Sequence, residues 1–144
     1  METNSRFINV ITLPNYDFDI KAPEFQKEGD AFTIWFFEDI LKVNPNYVEC
    51  LMYLGNAYTA NGMYEKGLMV DQKLSGLRPN DPTVQYNLAC SYALLKDADA
   101  AIEALERAIV LGYTDIYHLE RDKDLALLRK DVRFRKLIEK MKTS

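Results

Sequence analysis

Side chains able to do covalent or acid–base chemistry are sparse in this sequence. His118 is its only histidine, so neither a two-histidine metal motif nor a Ser/His/Asp set with an imidazole to spare is readily assembled. Carboxylates are plentiful, foremost Glu38-Asp39 and the "DADA" run from Asp97 to Ala100. Asp97 and Asp99, however, fall where a turn opens onto a helix, the place of a capping carboxylate rather than a general acid. The six glycines (Gly29, Gly55, Gly62, Gly67, Gly76, Gly112) stand singly, so the sequence holds no glycine-rich phosphate loop. Cys50 and Cys90 match no CxxC or Cys/His spacing and read as buried free thiols. The sequence therefore points away from an enzyme, and no metal or other cofactor is expected.

What is left is binding. With 144 residues, 48% hydrophobic and 28% charged, the chain is expected to form one globular domain with a real core. No apolar run approaches the roughly 20 residues that span a bilayer, and the opening "METNSRFINVITLP" lacks the parts of a secretion signal. A soluble, cytoplasmic protein without a membrane partner is expected. The net charge of −4 is uneven: residues 116–144 carry nine Lys/Arg against five Asp/Glu, so the rest of the chain carries −8. Basic residues near a helix C-terminus complement the dipole and keep the end soluble. Because the body is acidic, no nucleic acid is expected as a partner.

The elements that would position a binding surface show in a long internal period. Pro45 and Pro79 stand 34 apart in "LKVNPN" and "SGLRPN", each after a helix-like run, and each marks a helix stop. Leu51, Leu54, Gly55 and Tyr58 recur at the same interval as Gln85, Leu88, Ala89 and Tyr92; Gly67 recurs as Ala101 and Leu74 as Ala108. Small residues thus return where two helices must approach closely, and a tyrosine returns where successive pairs must be filled.

This pattern resembles the tetratricopeptide repeat, a helix-turn-helix unit of about 34 residues. In 48–81 the matching residues are Leu54, Gly55, Tyr58, Gly62, Tyr64, Gly67, Leu74 and Pro79; in 82–115 they are Leu88, Ala89, Tyr92, Ala101, Leu105 and Ala108. Asp71 stands where an aromatic is common, Gln85 where an apolar residue is, and Tyr113 at the proline place. The resemblance implies an all-α fold, an α-solenoid of antiparallel helix pairs in about three units within a single domain 1–144. The first unit, 15–47, is read as partial: "AFTIWFFEDILKVNP" supplies its second helix, with Phe32, Trp35, Phe36, Ile40 and Leu41 near helical spacing. The last, 116–144, is read as a degenerate cap of the kind that closes many small bacterial-type members, with Leu125, Leu128, Phe134, Leu137, Ile138 and Met141 on helical stripes and "DLALLRKDVRF" as its joint. Ahead of them, "RFINVITLP" alternates apolar and polar residues and favours an extended segment.

In this family the first helix of each repeat lines a concave groove that holds a peptide or a helix of another protein. Carried over, the groove draws on Met52, Asn56 and Thr59, beside Glu49; on Tyr86, Asn87 and Cys90, beside Thr83 and Leu94; and on Tyr117 and Arg121, beside Glu120. Apolar surface and side-chain donors then alternate, which suits an extended backbone. Asn56, Asn87 and Arg121 also fall on three places of the carboxylate clamp found in one subgroup, while Met52 and Tyr117 stand where its two lysines belong. Without those lysines, most of the attraction for an acidic tail is gone. The expected function is a non-catalytic protein-interaction module, an adaptor or scaffold with a protein or peptide partner. The rival expectation is a self-associating structural protein, a homodimer in its simplest form, whose groove is filled by the N-terminal segment or by another protomer.

Overall fold

The computed structural model describes residues 31–144, and among these every regular element is a helix. The extended segment expected near the N-terminus and the first part of the 15–47 unit lie outside the described residues. The chain divides into two compact units, residues 1–63 and 64–144, with the boundary in the turn inside the 48–81 segment.

In the first unit, α1 (Ala31–Val43) packs against α2 (Val48–Ala60). Ile34, Phe37 and Ile40 of α1 recur at helical spacing and are buried, as are Cys50, Leu51, Leu54 and Ala57 of α2. Phe37 stacks on Tyr53 with ring centroids 5.5 Å apart and planes 7° from parallel, an arrangement that adds to the burial of both rings. The hydroxyl of Tyr58 donates to the Glu38 carboxylate.

In the second unit, α3 (Tyr64–Leu77) packs on α4 (Pro82–Leu94), and α4 on α5 (Ala98–Val110). Then come the short α6 (Ile116–Arg121), a 3₁₀ helix (Lys123–Lys130) that lies against α4, and α7 (Val132–Thr143). Ala89, Ala101 and Ala108 are fully buried and bring α4 and α5 together, while Leu105, Leu119, Leu125 and Leu128 fill the core they leave. The joint "DLALLRK" is 3₁₀ rather than α. Side chains three apart eclipse in such a helix, which sends Leu125 and Leu128 together into the core.

Aspartates start the helices from α4 onward. Asp81 accepts from the N–H groups of Thr83 and Val84, ahead of Pro82 in the first turn, and Asp97, Asp115, Asp122 and Asp131 each accept one N–H in the same way. Such caps satisfy donors that the helix itself leaves open. Asp99, expected to share this role with Asp97, instead pairs with the Arg133 guanidinium at 2.7 Å.

The period found in the sequence is written in the turns as well. After α2, Gly62 has φ +74°, and the Met63 N–H donates to Tyr58 O; after α4, Lys96 has φ +65°, and the Asp97 N–H donates to Tyr92 O. Both ends close with the left-handed cap that satisfies the last carbonyls of a helix.

Candidate functional site

The first helices of the repeats present the expected side chains to different degrees. On α2, Met52, Asn56 and Thr59 follow one another at four- and three-residue spacing, which sets them on one face. Asn56 is exposed, and Met52 and Thr59 are half-buried. On α4, Asn87 is half-buried.

Tyr86 and Cys90 are placed otherwise. Both are buried, at 4% and 7% exposure, because the chain's own later segment lies over them. Asp122, between α6 and the 3₁₀ helix, turns its Oδ2 to this face of α4. That oxygen accepts from the Tyr86 hydroxyl at 2.6 Å and from the Cys90 thiol at 3.7 Å, and it lies 3.3 Å from His118 Nε2. Its Oδ1 caps the 3₁₀ helix through the Asp124 N–H at 3.0 Å. Tyr113 stacks on the Tyr86 ring, centroids 4.3 Å apart and planes 5° from parallel, with the His118 ring 5.7 Å away at a tilt. The groove lining expected from Tyr86 and Cys90 is thus a buried polar hub centred on Asp122. Sequence reasoning did not single out Asp122, and only its place as a helix cap, one residue before "KDL", was open to being read.

Chemically the hub brings together a thiol, a carboxylate and an imidazole, and Cys90, Asp122 and Asp124 offer ligand atoms within 4.8 Å of one another. Burial, with Asp122 and Asp124 nearby, pushes the Cys90 thiol far above its ordinary range. A thiol held protonated is neither a good nucleophile nor a ready metal ligand. The Asp122 carboxylate is already engaged on both oxygens. Burial likewise raises Tyr86, and burial followed by the Asp122 charge raises Asp124. The arrangement is suited to holding α4, α6 and the 3₁₀ helix together.

Further out in the same unit lies a second cluster, open to solvent. The Arg121 guanidinium sits over the Tyr117 ring, 3.7 Å from its centroid, and Arg121 Nη1 donates to Tyr117 O at 3.2 Å. Tyr117 is 69% exposed, so the stack offers a cation and an aromatic edge together. Glu120, expected beside them, is drawn to Lys142 at 2.6 Å. Part of the C-terminal basic surplus is likewise used internally: Arg129 donates to the carbonyls of Glu120 and Asp122, and Arg133 to Asp99 and Asp131.

Comparison with known proteins bears on the same segments. Residues 82–111 match the family model described as Tetratricopeptide repeat. A chloroplastic protein of Arabidopsis thaliana is 33% identical over 93 residues, 62% of this chain and 28% of that protein. Superkiller protein 3 of Saccharomyces cerevisiae is 33% identical over 82 residues, 57% of this chain and 6% of that protein. The chain therefore spans under a third of either relative. No described helix is long and apolar enough to cross a membrane.

Proposed function

We propose that this chain, which carries a tetratricopeptide repeat at residues 82–111 and whose described elements are all helices, is a non-catalytic module that binds a peptide or helix of a partner protein. Repeats of this family generally mediate protein–protein interaction. The observation that carries the reading is the exposed Arg121–Tyr117 stack. A guanidinium already held over a ring loses little freedom on binding, so it favours a backbone carbonyl or carboxylate beside an apolar side chain. Asn87 on α4 adds a side-chain amide in the same unit. We assign Tyr86 and Cys90 to support of this surface rather than to contact. The test is a peptide-array search with the natural chain, followed by Arg121→Ala and Asn87→Ala against each hit. Loss of affinity in these variants supports the reading, and hits indifferent to both overturn it.

Self-association is a second reading, favoured by Trp35 of α1, which is 56% exposed, since a large aromatic side chain left at the surface can serve as a contact. Light-scattering mass over a hundredfold concentration range separates the two readings. A constant monomer removes this one.

A further inference from the structure

Asp71 lies on α3, 7% exposed, at the place held one repeat earlier by Phe37 and one repeat later by Leu105, both buried and apolar. Its partner is equally out of pattern. Ser91 of α4, 3% exposed, donates its hydroxyl to Asp71 Oδ2, whereas the matching position one repeat before it is the buried Ala57. A polar pair has thus replaced two apolar residues at the packing of α3 on α4.

We propose that the Asp71–Ser91 contact makes the packing of α3 on α4 sensitive to pH, tightening when the carboxyl is protonated and loosening when it is charged. A buried carboxylate loses its hydration, and one hydroxyl donor replaces only part of it. The neutral acid loses far less, and the hydrogen bond survives protonation, because the carboxyl can then donate to the serine oxygen. No cation offsets the charge among the described residues. The titratable groups of α4 are engaged elsewhere, Tyr86 and Cys90 with Asp122 and Tyr92 with Gln72, and Glu65, Lys66 and Lys73 of α3 itself are exposed. Burial accordingly raises the Asp71 carboxyl from its ordinary value to about 6, against the lowering effect of the Ser91 bond.

The sign follows from linkage. A folded-state value above the unfolded one, near ~3.9, gives stability that is fully present below the unfolded value and is lost as pH rises through about 6. Urea unfolding of the full chain between pH 7.5 and 5.0 should therefore show the folding equilibrium constant gaining about tenfold on that of Asp71→Asn. A ¹³C titration of the Asp71 carboxyl in the natural chain should have its midpoint near 6. Parallel pH profiles for the two chains, or a carboxyl midpoint near ~4, overturn the proposal. The titration needs no variant, so it decides the matter even where Asp71→Asn fails to fold.

Discussion

The Tyr86 hydroxyl donates to Asp122 Oδ2 at 2.6 Å, a bond spanning 36 residues of sequence that ties α4 to the start of the 3₁₀ helix. The two ends of this bond are not equivalent. Tyr86→Phe removes one donor from an acceptor that keeps other partners, and should cost about 1 kcal/mol. Asp122→Ala leaves the Tyr86 hydroxyl and the Asp124 N–H without their acceptor and removes a helix cap, at about 2–3 kcal/mol together. Asp122→Asn, which keeps an acceptor oxygen, should fall between. Urea denaturation of the three variants gives the order, and equal losses in all three would mean that the hub is not centred on Asp122.

Gln85 is the polar residue that broke the repeat pattern, and at 2% exposure it is as buried as the Leu51 it replaces. Its amide nitrogen donates to Ser75 Oγ at 2.9 Å and to the Pro79 carbonyl at 3.2 Å. Arg107 Nη2 also donates to Pro79 O, so that carbonyl keeps a partner when Gln85 is changed. Gln85→Leu should then cost under about 1 kcal/mol, whereas Gln85→Ala, which opens a cavity, should cost about 2–3 kcal/mol. Comparable losses in both variants would assign the stability to the amide rather than to the volume.

How far the sequence could be read follows from cases like these. Leu54, Gly55 and Tyr58 repeat as Leu88, Ala89 and Tyr92 because close helix contacts demand particular sizes at particular spacings, and size is visible in a residue's name. Asp71 and Gln85 looked like lapses because their partners, Ser91, Ser75 and Pro79 O, are supplied by neighbouring segments and carry no pattern of their own. The groove assignment of Tyr86 and Cys90 is carried over from the family resemblance through the 34-residue period. What covers that face is Asp122, and its position depends on α6 stopping after six residues, a length that the apolar stripes of 116–144 do not encode.

Arg121 and Tyr117 can be separated by experiment. Both are exposed, so Tyr117→Ala should change stability by less than about 0.5 kcal/mol. If the stack is what pre-positions the guanidinium, the same variant should weaken a bound peptide by roughly five- to tenfold, and Tyr117→Phe, which keeps the ring face, should restore most of the affinity. Calorimetry with an array-selected peptide measures both. Full affinity in Tyr117→Ala would show that the ring plays no part in binding.

The last prediction concerns two turns that differ in sequence and agree in geometry. Gly62 and Lys96, one repeat apart, hold φ near +74° and +65°, a region in which a β-carbon crowds the following carbonyl. Glycine bears no such cost. Lys96→Gly should therefore stabilise the chain by a few tenths to about 1 kcal/mol, the relief of strain exceeding the added freedom of the unfolded chain. Gly62→Ala should destabilise by about 1 kcal/mol even though nothing lies within 4 Å of the added carbon. Gly76 supplies the control, since it sits inside α3 with equally open space around it, and Gly76→Ala should stabilise by about 0.5–1 kcal/mol. Chemical denaturation of the three variants separates backbone conformation from packing. A gain in Gly62→Ala or a loss in Lys96→Gly would contradict the assignment of Gly62 and Lys96 to the same left-handed cap.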